Sequence, residues 1–138
     1  MKLNHYFILL FSLFFFVSSS HADIDIKKCK ANEGEYVIFD EYDSQIAEKI
    51  IDHLLHNQPE KRESSIIKIF ANENSDDRNY WLSSFQFDDQ THQYLFYQVD
   101  TDNFIEIDQN QFENLLPNIV ECNQNKQTPI YSENFDED

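Results

Sequence analysis

The chain predicts an α+β domain: an antiparallel sheet of about four to five strands, one long helix packed on a face, a short C-terminal helix and one disulfide. Three observations carry this. Residues 44–57 place apolar side chains at spacings of three and four, residues 65–107 hold four short aromatic and β-branched runs between Asp/Asn-rich breaks, and two cysteines lie near the ends of the domain.

In chain order, Glu35-Tyr-Val-Ile-Phe-Asp-Glu-Tyr42 reads as a strand. Asp43 or Ser44 then caps a helix through about Asn57, with Ile46, Ala47, Ile50, Ile51, Leu54 and Leu55 on one stripe and Pro59 just beyond its end. Strands follow at Ser65–Phe70, Tyr80–Phe87, Gln93–Val99 and Phe104–Ile107. The connections between them are too short for parallel crossovers, so neighbours pair antiparallel. Asp108 with Gln111 forms a capping box, and Ile107 with Phe112 a hydrophobic staple, for a second helix that buries Phe112, Leu115 and Leu116 and ends at Pro117. Ile119 and Val120 then lead to Cys122. The order β-α-β-β-β-β-α resembles that of cystatin-like rolls in architecture, without a motif of that family.

The first residues read as an export signal. Lys2 supplies a positive start, Ile8–Val17 an apolar run broken by Ser12, and Ser20 and Ala22 the small residues of a cleavage site after position 22. A spanning helix needs about 20 apolar residues, more than this run offers. The expected division is therefore a signal peptide at 1–22, a single domain at 23–131 and a flexible acidic tail at 132–138. The expected location is the periplasm or the exterior, in soluble form. In such a compartment Cys29 and Cys122, 93 positions apart (122 − 29), are expected to form a disulfide. Closing a loop of that size contributes at most about 4.5 kcal/mol through chain entropy.

Without residues 1–22 the chain keeps 9 of its 10 Lys+Arg and all 26 Asp+Glu, a net charge of −17. A field of that sign repels nucleic acid and anionic lipid and attracts basic proteins. Eight Phe, six Tyr and one Trp remain, which is aromatic content that disordered acidic chains lack. Gly34 is the only glycine, so tight turns fall to Asn and Asp.

Candidate chemistry is sparse. His53 and His56 are three apart on the polar side of the first helix and His92 stands at a hairpin edge, too few ligands for zinc. Asp100-Thr-Asp102-Asn103 suggests a calcium loop, but Phe104, Ile105 and Gln111 occupy the positions where an EF-hand needs an acid or amide, a glycine and a glutamate. No nucleophile elbow, zinc-protease helix or phosphate loop occurs. The reading is accordingly a non-enzyme with no cofactor. Along the central strands Trp81, Ser83, Phe85 and Phe87 point one way and Tyr80 and Leu82 the other; Tyr94 and Phe96 oppose Leu95, Tyr97 and Val99. Both faces thus carry large apolar groups, which are either covered by helices and loops or presented as an aromatic patch ringed by acids.

The expected function is an exported acidic binding protein, an inhibitor or immunity-type protein that neutralises a basic envelope-acting enzyme or toxin. The alternative is a small-ligand or cation-binding accessory module. In general character the chain resembles periplasmic lysozyme inhibitors and immunity proteins. Steering would fall to the acidic loops Asp76-Asp77, Asp88-Asp89 and Asp100/Asp102, and locking to Trp81 or Tyr97.

Overall fold

Asp40 decides where the first helix begins. Its carboxylate accepts the backbone N–H of Asp43 at 2.9 Å, and the Asp43 carboxylate accepts that of Asp40 at 3.2 Å. This reciprocal capping box satisfies two donors that a helix start otherwise leaves open. The computed structural model describes residues 24, 26, 39–73, 78–121 and 123–134. Within them the order is α1 (Glu41–Leu55), a 3-10 turn (Pro59–Ser64), β1 (Ile66–Ala71), β2 (Tyr80–Gln86), β3 (His92–Gln98), β4 (Asn103–Ile107), α2 (Gln109–Ile119) and β5 (Tyr131–Asn134).

Two expectations about strands need correction. Glu41 and Tyr42, read as the end of a strand, form the first turn of α1 instead, because Asp40 caps three residues earlier than expected; Tyr42 is 59% exposed there. Residues 35–38 lie outside the described set. Conversely, Ser132, Glu133 and Asn134, read as the start of a flexible tail, pair with Lys68, Ile67 and Ile66 of β1. The tail reading can therefore apply only from residue 135, outside the described residues. Cys29 and Cys122, the expected disulfide partners, and the cleavage region also lie outside them.

The sheet runs β4-β3-β2-β1-β5 with every neighbour antiparallel. Register divides its side chains as the alternation in the sequence predicts. On the first face Ile67, Ile69, Ala71, Trp81, Phe85, Leu95 and Tyr97 cluster with the α1 stripe Ile46, Ala47, Ile50, Ile51, Leu54 and Leu55. On the second face Phe70, Leu82 and Phe96 cluster with Ile107, Ile119 and Val120, while Phe112, Leu115, Leu116, Ile24 and Ile26 pack around them half-buried. Both faces are covered. Each fully buried Leu, Ile or Phe contributes about 1.5–3 kcal/mol, which makes this two-sided burial the main driving term.

Pro117 does not end α2, contrary to expectation; the helix runs on to Ile119, and the Val120 N–H still bonds the Leu116 carbonyl at 3.1 Å. Pro117 has no N–H to offer the Glu113 carbonyl, so the last turn is one bond short, yet the helical path holds for two more residues. Turns without glycine use other residues. Gln90, at φ 71, closes the β2–β3 turn, and Asp102, at φ 50, the β3–β4 turn. The first departs from the expected Asn or Asp; the neighbouring Asp89 carboxylate compensates by accepting both the N–H and the hydroxyl of Thr91 at 3.0 and 2.6 Å.

Two arginines tie the layers together. Arg78, with 4% of its side chain exposed, is ion-paired to Asp43, 5% exposed. Its other nitrogens donate to the carbonyls of Asn72 and Glu73, each at 2.8 Å, and its own carbonyl accepts Trp81 Nε1–H at 3.1 Å. Burial pushes the Asp43 carboxyl up, opposed by the Asp40 N–H and the Arg78 charge. Arg62 joins three elements: it donates to both oxygens of Glu48 on α1, at 2.9 and 2.7 Å, and to Glu133 on β5 at 3.0 Å. Tyr131 donates its hydroxyl to the same Glu133 and stacks on Phe39 with ring centroids 5.6 Å apart.

Breaking the buried pair is costly because the surviving charge stays in the interior. Asp43→Ala is expected to lower the unfolding free energy in urea by about 3–5 kcal/mol. The paired change Asp43→Leu with Arg78→Met should recover much of that loss, as apolar replacements of buried pairs do.

The β5 clamp sets two pH limits. Arg62 and the Tyr131 hydroxyl hold Glu133 below its ordinary value of 4.5, so its contribution is present above 4.5 and is lost as pH falls through the lower folded value. Burial and Glu133 push Tyr131 from 10.0 up to about 12; its contribution is present below 10 and lost as pH rises toward 12. Urea midpoints measured against pH should fall in both windows, and Tyr131→Phe should make the alkaline fall shallower.

Candidate functional site

Of the sequence-predicted residues, the structure brings Tyr97, Asp100 and Asp102 together at the β3–β4 turn. The Asn79 side chain accepts the Asp100 N–H at 2.9 Å, and the Asp102 N–H bonds the Val99 carbonyl at 3.1 Å. Asp88 and Asp89 belong to the β2–β3 turn at the opposite end of the sheet, so the acidic loops do not form one patch. Asp76 and Asp77 lie outside the described residues. Trp81 is fully buried and Tyr97 is 3% exposed. Neither ring is available as a surface anchor: the first-face core that α1 covers absorbs both, which decides between the covered and the exposed readings of these strands.

The turn carries residues that the sequence reading passed over. Asp102 Oδ1 accepts Lys49 Nζ from α1 at 2.6 Å and the Tyr97 hydroxyl at 2.7 Å. Lys49 Nζ also stands 5.5 Å from the Tyr97 ring centroid. Alongside, His53 stacks on Phe104 at 4.0 Å and Phe104 on Tyr97 at 4.2 Å. Lys49 and His53 are four apart, hence neighbours on one flank of α1. That spacing was legible, but nothing in the sequence said which strand the flank would meet.

The electrostatics of this cluster oppose acid–base work near neutral pH. Donating to Asp102 and to Tyr97 raises Lys49 above its ordinary value. Burial, then Asp102, raises Tyr97, while Lys49 and Tyr97 hold Asp102 low. A catalytic lysine or tyrosine needs the reverse shift, toward the working pH. The cluster is a strut: it fastens the β3–β4 turn to α1 and holds its one cation against a carboxylate and a ring.

Among the described residues no group of three or more His, Cys, Asp or Glu is arranged to hold a metal ion, and no described helix is long and apolar enough to cross a membrane. His53 and His56 are both exposed, and His56 Nδ1 lies 3.0 Å from the His53 carbonyl. Shallow grooves flank the stacked rings of His92 and Tyr94, one of 460 Å³ toward Glu106 and Asp108 and one of 260 Å³ toward Lys68 and Glu113.

Comparison with family models, curated proteins and solved structures gave no match to this chain. The site has to be read from its own chemistry.

The strut makes a specific expectation. Asp102→Asn keeps a residue suited to positive φ and removes the acceptor charge. Tyr97, followed by ultraviolet titration of its phenol, should then ionise at lower pH than in the parent. The stability change should be small, since the Lys49–Asp102 pair is solvent-exposed.

Proposed function

We propose that the chain is an exported acidic binding protein that neutralises a basic enzyme or toxin acting on the cell envelope. In this reading the signal is removed after Ala22, and a Cys29–Cys122 disulfide clips the start of the domain to its end. The observation that supports it most directly is where the few cations go. Among the described residues Arg78 is committed to the interior, Arg62 to Glu48 and Glu133, Lys49 to Asp102, and Lys61 to the ring of Phe87 at 4.9 Å, while Lys68 and Lys126 are exposed. The turns and outer helix faces are left with exposed Asp52, Glu60, Glu63, Asp88, Asp89, Asp100, Glu106, Glu113 and Glu121. Such a surface attracts a cationic partner over distance and repels nucleic acid and anionic membranes. Because Trp81 and Tyr97 are interior, the locking contacts belong to other residues.

The test is an affinity capture from envelope extract with the mature, oxidised protein, followed by kinetics on the captured basic protein. The association rate should fall steeply between low and physiological salt, as the Debye length shrinks toward about 8 Å. A rate indifferent to salt, or no capture of any basic envelope protein, would count against the proposal. For the alternative, a small-ligand or cation-binding module, the mark would be a rise in melting temperature with added calcium or metabolite.

A further inference from the structure

β4 ends the sheet on one side: it pairs with β3, and among the described residues no strand lies beyond it. The hydrogen bonds of the β2–β3 hairpin fix which of its groups face outward. At one end the Phe87 N–H donates to the Thr91 carbonyl, and at the other the Val99 N–H donates to the Asn79 carbonyl, each at 2.9 Å. Main-chain groups in an antiparallel ladder alternate from side to side. The odd-numbered residues of β3 therefore face β2, and Tyr94, Phe96 and Gln98 face β4, where they meet Ile107, Ile105 and Asn103. The N–H and C=O groups of Phe104 and Glu106 are left pointing away from the sheet. Edge strands ordinarily deter further pairing with lysine, proline or a bulge. β4 reads Asn-Phe-Ile-Glu-Ile in unbroken register and has none of these. Its charged residue is Glu106, exposed and without a hydrogen bond or ion pair to another described residue. Asp100 and Asp108, also exposed, extend the negative charge at either end, and Lys49 above the β3–β4 turn is already held by Asp102.

We infer that the β4 edge takes an extended, basic segment of the partner as an additional strand. The segment's carbonyls accept the Phe104 and Glu106 N–H groups, and its N–H groups donate to their carbonyls, so affinity comes from main chain. Side chains set the choice of segment. Glu106 leaves the sheet on the α1 face, as its pairing with Leu95 requires, and a Lys or Arg across from it is favoured. Half-buried Ile105 stands on the other face and favours an apolar neighbour there, so basic and apolar residues alternate along the segment. Like charge at Glu106 disfavours a second copy of this edge as the occupant. The inference rests on the acidic-binding reading above, and main-chain pairing takes over the locking role that the buried Trp81 and Tyr97 do not fill.

Amide hydrogen exchange by NMR reads the edge directly. In the free, mature, oxidised protein the Phe104 and Glu106 amides should exchange rapidly while that of Ile105 is protected. Protection of Phe104 and Glu106 already in the free protein would overturn the inference, since the edge would be occupied. If that protection grew with the protein's own concentration, the occupant would be a second copy. The protein is then titrated at physiological salt with an end-blocked peptide of alternating arginine and valine. The Phe104 and Glu106 amides should become protected. The same peptide N-methylated at every residue keeps its charge and loses its donors, and should bind about tenfold more weakly or worse, the cost of two or so main-chain bonds. Glu106→Lys, at an exposed position, should weaken the unmethylated peptide several-fold with the melting temperature unchanged. Equal binding of the two peptides, with shifts spread over Asp88, Asp89 and Asp100, would overturn the inference and reduce the attraction to the overall field. Should a captured basic protein bind tightly and leave the Phe104 and Glu106 amides unprotected, the edge fails while the acidic-binding reading stands. Failure to capture any basic protein is the separate outcome that removes that reading.

Discussion

The interior ion pair of Arg78 and Asp43 is the constraint on which the rest of the structure turns. A guanidinium with 4% exposure survives only if every donor finds an acceptor. Here three acceptors come from two places in the chain: Asp43 in the first turn of α1, and the carbonyls of Asn72 and Glu73 just past β1. The Arg78 carbonyl in turn accepts from Trp81, the largest side chain of the first-face core. One residue thereby sets where α1 starts relative to the sheet and how β1 hands over to β2. Asn123 reinforces the same corner, donating to the Ala71 carbonyl at 2.9 Å and accepting the Glu73 N–H at 2.8 Å.

That commitment shapes the electrostatics of the whole molecule. A chain with 10 basic and 26 acidic residues spends its arginines on cohesion, one inside the fold and one across α1, the 3-10 turn and β5. Among the described residues most of the acids that those arginines do not reach are exposed. Self-repulsion at the surface opposes folding, and the two-sided apolar core together with the arginine ties offsets it. The acidic exterior and the arginine-laced interior are thus two sides of one distribution of charge.

Much of the architecture was legible in the sequence. The stripe Ile46 to Leu55 marked α1, and period-two alternation in Tyr80–Phe87 and Gln93–Val99 assigned side chains to the correct faces. The Asp108–Gln111 capping box marked the start of α2. The failures have physical causes. Asp40 and Asp43 form a capping box with an aspartate where glutamate or glutamine is usual, so an alternating stretch ending at Tyr42 looked like a strand. Residues Ser132–Asn134 are polar and acidic, and only their pairing with β1 and the Arg62–Glu133 contact, 71 positions apart, make them a strand. The functional reading suffered for the same reason. Aromatic residues on both faces are compatible with burial or with display, and the decision lay in helices whose docking no local pattern records. Lys49, His53 and Phe104, and the pairing of His92 with Tyr94, depend on which strand meets which flank.

The fold depends on Arg78 being interior and engaged by its acceptors. The direct measurement is hydrogen exchange at the Arg78 side-chain Nε–H, followed by NMR in the mature, oxidised protein. Exposed arginines exchange this proton rapidly, whereas one that donates to the Asn72 carbonyl inside the fold exchanges only when the corner opens. The Arg78 Nε–H should exchange slowly, protected to within the range of the core amides of β2. Exchange as rapid as that of a solvent-exposed arginine would contradict it.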